Sequence, residues 1–168
     1  MHVVELLEAK GDGLNCIENM MQFYMYDFSE WLPIPFNSAG LFTLRPKEPY
    51  WAAPSTKPFL IMVNGETAGF VCVDNEVNHV EVNFNIGYFF VSRRFRGAGI
   101  GLAVVEKLLA RFPGCWQIFH INKNLPAERF WKKVIPLVTH GDFSVRGEHI
   151  DDHDCTLYQF RHGETSAT

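Results

Sequence analysis

The chain has 168 residues, 47% of them hydrophobic and 20% charged, with a formal net charge of -4. That length suits one ordinary globular domain with its own core, and the acidic balance argues against a general nucleic-acid coat. Cys16, Cys72, Cys115 and Cys155 stand too far apart for a zinc site or a C-x-x-C redox pair, which leaves reduced thiols in a cytosolic protein as the expectation. The N-terminus M-H-V-V-E-L-L-E-A-K lacks the apolar run of a signal peptide. No stretch approaches the roughly 20 apolar residues that span a bilayer. A soluble cytoplasmic protein without membrane or nucleic-acid partners is expected.

His2 to Leu7 reads as a first strand. In L-N-C-I-E-N-M-M-Q-F-Y-M-Y-D-F, Leu14, Ile17, Met21, Tyr24, Met25 and Phe28 fall on one helical stripe. Residues 31–58 hold six prolines among aromatics, so they predict a loop with one short helix or edge strand, of a kind that often walls a pocket. Two apolar runs then flank Asn64-Gly65, a dipeptide that tolerates positive φ in a two-residue hairpin turn. Strong alternation from His79 to Val91 predicts a third antiparallel strand.

A glycine segment follows, with a helix over about Gly99 to Arg111 closed by Pro113-Gly114. C-W-Q-I-F-H-I is a buried strand by its bulk and β-branching. Asn124 can cap the next helix, with Pro126 in its first turn. Phe143–Arg146 and Cys155–Phe160 complete the strands, and a tail over 163–168 frays beyond a domain of residues 1–162. H-I-D-D-H-D at 149–154 has a metal-like composition, but it lies between the last two strands, where a charged hairpin tip is ordinary. No metal is expected.

R-F-R-G-A-G-I-G-L-A opens the third-strand-to-helix connection. A helix N-terminus offers unpaired N–H groups and positive potential to an anion. Bare Cα atoms at Gly97, Gly99 and Gly101 let a phosphate approach the main chain, although glycines before a helix also serve plain turns and packing. A Walker loop requires G-K-[ST], but Leu102 and Ala103 follow Gly101. A Rossmann loop requires a third glycine where Leu102 stands and an acid after the next strand, where the chain has His120, Ile121 and Asn122.

R-x-x-G-x-G, here Arg96, Gly99 and Gly101, following Y-F-F-V and opening a helix, resembles the acetyl-CoA loop of the GNAT N-acetyltransferases. N-x-P-A-E-R-F-W-K-K from Asn124 resembles the family's second signature, and Q-F-Y-M-Y-D-F-S-E is similar to a bacterial branch of these enzymes. The resemblance covers most of the chain. It implies an α/β GNAT fold: a mixed, mostly antiparallel sheet of six to seven strands flanked by helices, with strands four and five splayed into a V. It implies an acetyltransferase that uses acetyl-CoA to acetylate a primary amine, the alternative being an acyl-CoA-binding module without catalysis. A homodimer is open. The net charge would steer cationic acceptors at long range.

By the same resemblance, main-chain groups of Phe89, Phe90 and Val91 pair with the pantetheine arm. The pyrophosphate sits on Gly97, Ala98, Gly99, Ile100, Gly101 and Leu102, with Arg96 nearby. Asn124 and Trp131 add cofactor contacts. Arg93 and Arg94 are candidates for the ribose phosphate or a solvated basic edge. A main-chain N–H near Phe90 polarises the acyl carbonyl.

Proton handling departs from the family. Tyr88 takes the place of the fourth-strand glutamate, and Trp131 that of the usual tyrosine acid; an indole has no proton to give at neutral pH. Tyr88 is the candidate acid. Tyr24 and Tyr26 are further candidates, or core. Glu81, earlier on the strand, reaches an amine through water or is an exposed carboxylate. His120 shuttles a proton or is a satisfied core histidine.

Overall fold

The computed structural model describes residues 1–43, 48–76 and 81–163. Seven strands, β1 (Val4–Glu8), β2 (Lys57–Val63), β3 (Glu66–Asp74), β4 (Phe84–Val91), β5 (Gly114–Ile121), β6 (Ser144–Ile150) and β7 (His153–His162), form one mixed sheet in the order β1-β2-β3-β4-β5-β7-β6, flanked by helices. Contacts group the residues into two units, Met1–Val73 with Tyr88–Ile100, and Asp74–Gly87 with Gly101–Thr168.

In the first unit, β1 (Val4–Glu8) pairs antiparallel with β2 (Lys57–Val63), which pairs antiparallel with β3 (Glu66–Asp74). Asn64 and Gly65 both have positive φ, 51° and 79°, the backbone that a tight hairpin between right-twisted strands demands. The Asn64 side chain also accepts from the Val3 amide at 2.9 Å, fixing β1 to the turn. Helix α1 (Asp12–Phe28) buries Ile17 and Met21 against Phe70, Cys72, Trp51 and Phe90. The rest of its predicted stripe is half-buried. Burying two large apolar side chains contributes about 3–6 kcal/mol before entropy. The proline-rich stretch contains the short helix α2 (Glu48–Ala52) and a bridge between Phe36 and Phe42. Gln22 of α1 holds that bridge by bonding both the N–H and the C=O of Phe42 at 3.0 Å.

The predicted third strand starts later than its alternation implies. β4 runs Phe84–Val91; His79 and Val80 lie outside the described residues. Glu81 stands in an exposed turn ahead of β4, a correction to its placement on the strand. The alternating pattern has another cause there. Val82 is buried, while Asn83 docks on Cys115 through both its main-chain N–H and its side-chain oxygen, each at 2.9 Å.

In the second unit, β5 (Gly114–Ile121) pairs in parallel with the start of β4 at Phe84↔Trp116 and Asn85↔Gln117. On its other side β5 pairs antiparallel with β7 (His153–His162), and β7 with β6 (Ser144–Ile150). Helix α3 (Ile100–Arg111) buries Val104, Val105, Leu108 and Leu109. Helix α4 (Leu125–Thr139) is capped as its sequence predicts: Asn124 Oδ1 accepts from Ala127 N at 3.0 Å, and Pro126 fills the first turn. His140 and Gly141, at φ 52° and 84°, end it. The H-I-D-D-H-D segment is a hairpin tip turned by Asp151 and Asp152 at φ 48° and 63°. Of the frayed tail expected over 163–168, all but Gly163 falls outside the described residues. Among those described, no helix is long and apolar enough to cross a membrane.

Candidate active site

After β4 the chain makes a 3-10 turn at Arg93–Phe95, extends at Arg96, and enters α3 at Ile100. Gly97 and Gly99 adopt φ of 78° and 77°, with no atom within 4 Å of where a Cβ would lie. A side chain at either position would be strained by the left-handed backbone. Both glycines and Ala98 are exposed, and among the described residues none accepts from their main-chain N–H groups. The segment thus presents free donors at the mouth of a helix.

Gly101 differs from the other two. An ideal Cβ there would sit 2.6 Å from the Phe130 ring. Its bareness makes room for the Phe130 ring of α4, a packing demand that Gly97 and Gly99 do not share.

The arginines are already paired. Arg96 donates from Nε to Val91 O at 2.6 Å and from its guanidinium to Asp27 Oδ2 at 2.7 Å. It also lies 5.6 Å from the Phe90 ring centroid. Arg93 donates to Asp27 Oδ1 at 3.1 Å. Arg94 makes a fork with Glu66 at 2.5 and 2.9 Å. Both side chains nevertheless remain largely exposed, at 76% for Arg93 and 70% for Arg94, as a solvated basic edge would be.

Tyr88 and the second half of β4 lie in the first unit. Tyr88 is half-buried, with Tyr24 edge-on at 5.5 Å and Tyr50 at 5.8 Å between ring centroids. Burial pushes the Tyr24 phenol well above its ordinary value, and the neighbouring Tyr88 adds to the rise. Tyr24 therefore stays protonated and holds its proton tightly. Tyr50 donates to Cys72 Sγ at 3.4 Å. Tyr26 is exposed on α1 and belongs to neither the core nor this cluster.

The remaining candidates lie in the second unit. His120 is buried on β5, its Nδ1 3.1 Å from Ile121 O and its Nε2 without a hydrogen-bond partner. Among the described residues nothing pairs with that nitrogen. Trp131 is 5% exposed and packs edge-on against Phe130 at 4.7 Å, so most of the indole serves the core. Asn124 is buried and its carbonyl is committed to the cap. Glu81 stands in its turn as an exposed residue. Among the described residues no group of His, Cys, Asp and Glu could hold a metal.

Sequence reading missed Asp27, Glu66 and Tyr50. Asp27 alone had a local signal: an acid in the last turn of a helix, where the dipole disfavours it.

The Acetyltransferase (GNAT) family model matches residues 18–135. The chain belongs to the GNAT acetyltransferase family. Solved structures carry the same fold. An acetyltransferase from Thermus thermophilus is 14% identical, covering 96% of this chain and 99% of that one, with a TM-score of 0.62. The ribosomal-protein-S18-alanine N-acetyltransferase from Escherichia coli is 12% identical over 100% and 98% of the two chains, at 0.59. AAC(6')-Ib in complex with paromomycin and acetyl-CoA is 16% identical over 95% and 93%, at 0.60. No curated protein sequence matches this GNAT chain.

Proposed function

We propose that this GNAT protein is an acetyl-CoA-dependent N-acetyltransferase that acts on a primary amine of a small molecule or peptide. The observation that carries the reading is the Arg96–Ile100 segment: two left-handed glycines, open space above both, and main-chain donors without partners. Such a donor set fits a pyrophosphate. Phe89, Phe90 and Val91 would pair through the main chain with an amide-bearing arm, and an N–H near Phe90 would polarise the acyl carbonyl.

Acetyl-CoA supplies the thioester; amine attack forms the C–N bond, breaks the C–S bond and releases CoA. Tyr88 would protonate the departing sulfur and be reprotonated from solvent. The attacking amine loses its proton to water. The family neighbours are associated with a ribosomal-protein alanine and with paromomycin. Protein N-termini and cationic small molecules are therefore both acceptor classes for a screen, and the net charge of -4 steers toward cations.

One observation favours a second reading, an acyl-CoA-binding module without transfer: the tyrosine position of α4 is filled by the buried Trp131. Thermal shift with acetyl-CoA, NAD and ATP tests the ligand. Only acetyl-CoA should stabilise, increasingly with concentration; no shift at millimolar acetyl-CoA defeats both readings. Thiol release across amine classes separates transfer from binding alone.

A further inference from the structure

Helix α1 ends on a carboxylate where helix electrostatics disfavour one. Asp27 sits in the last turn, which holds no basic residue, at the partially negative end of the helix dipole. Its compensation comes from the far end of the first unit. Asp27 Oδ2 accepts from Arg96 at 2.7 Å and Oδ1 from Arg93 at 3.1 Å. The Arg96 guanidinium also donates to Val91 O at 2.6 Å. One side chain thereby ties the end of α1, the last residue of β4 and the residue that precedes Gly97. The carboxylate is largely shielded, at 21% side-chain exposure, and Arg96 is at 44%, so the pair is less screened than an open surface bridge.

The geometry points to Asp27 as the positioning residue of the phosphate-binding loop. It holds Arg93 and Arg96 as framework, so that the main chain at Gly97–Gly99 keeps the two left-handed turns that bare its N–H groups. The ligand is then gripped by amides and not by guanidinium groups. This rests on the reading of the loop as the acetyl-CoA site.

The opposite assignment has the opposite sign. If Arg93 and Arg96 ligate phosphate, Asp27 competes for them, and removing its charge frees two cations and tightens binding. If they are framework, removing its charge loosens the loop and weakens binding. Asp27→Asn and Asp27→Glu are compared with the parent by calorimetric titration with CoA. Amide hydrogen exchange at Phe95 and Arg96, which donate within the 3-10 turn to Ser92 O and Arg93 O, is measured without ligand. Asp27→Asn is expected to weaken CoA about fivefold, the upper end for partly exposed pairs, and to speed exchange at both amides. Asp27→Glu, which keeps the charge, should recover part of each. The thermal midpoint of Asp27→Asn should change little, because the helix end loses an unfavourable charge as the two ion pairs are lost. Unchanged or tighter CoA binding by Asp27→Asn overturns the assignment, as does unchanged exchange. If the parent itself does not bind CoA, the acetyl-CoA reading fails, and the exchange measurement still decides whether Asp27 orders the turn.

Discussion

Gly69→Ala tests the link between the sheet and the proposed chemistry most directly. Gly69 lies inside β3, fully buried, where a Cβ would sit 2.0 Å from Phe90 O and 3.0 Å from Val91 Cα. Real Cβ atoms essentially never come closer than 3.0 Å to such an atom, so β4 must back away by about 1 Å, the difference between those two distances. The obstacle is main chain, which cannot change rotamer. Overpacking against side chains typically costs about 1–3 kcal/mol, and against a strand's carbonyl we take the upper end, about 3 kcal/mol. That is a large share of the roughly 5–15 kcal/mol that holds a domain folded. The displaced segment also carries the N–H near Phe90 that would polarise the acyl carbonyl, and a 1 Å misplacement of such a group can lower a rate by about 10²-fold. Urea denaturation gives the stability loss, and CoA release at saturating acetyl-CoA gives the rate. Gly40→Ala is the control: its φ is 74° but no atom lies within 4 Å, so only backbone strain of about 1 kcal/mol should appear and the rate should hold. A folded Gly69→Ala with the stability and turnover of the parent would refute the argument from close approach.

Gly99→Asp should abolish acetyl-CoA stabilisation in a thermal shift while the protein stays folded, since it adds a strained, repelling carboxylate to the helix mouth; binding equal to the parent's would move the phosphate site elsewhere. Tyr88→Phe should lower kcat about 10²–10⁴-fold with acetyl-CoA affinity held, and Trp131→Tyr in that background should restore part of it; parental turnover by Tyr88→Phe ends the proton role. For Tyr24 the folded-state phenol is raised above its unfolded value of 10.0, so its contribution is present below that pH and is lost as pH rises beyond it. Chemical denaturation across pH 8–11.5 should therefore show a fall above about 10, steeper in the parent than in Tyr24→Phe by up to about 1.4 kcal/mol per pH unit; identical slopes would contradict the burial of that phenol.

What could be read from the sequence was local. Asn64-Gly65 specifies its own turn, because few residues accept positive φ twice in succession, and Asn124 caps its helix through an amide three residues on. The left-handed turns at Gly97 and Gly99 are of the same kind: they follow from residue type and order. What could not be read depended on residues far along the chain. Gly101 looks identical to Gly99 in the motif, and the Phe130 ring that distinguishes them belongs to another helix. Glu81 reads as a strand residue because alternation continues through Asn83, which in fact bonds to Cys115. Arg96 reads as a phosphate ligand until its partner, 69 residues earlier, is known.

That last case bears on how the loop motif works. R-x-x-G-x-G describes a backbone shape, but a short segment with two glycines in left-handed turns has little to hold that shape by itself, since glycine loses the most conformational freedom on ordering. In this chain the holding is done from α1. Ile17 and Met21 seat the helix in the core, Tyr24 meets Tyr88 on β4 one turn later, and Asp27 reaches Arg93 and Arg96 one turn after that. The three contacts follow the helical repeat, so the packing that fixes the first fixes the others. A helix anchored at its buried end can hold the loop only if its last turn presents a group that reaches the arginines. The electrostatic penalty of placing an acid there is the reason to look for such a role at Asp27.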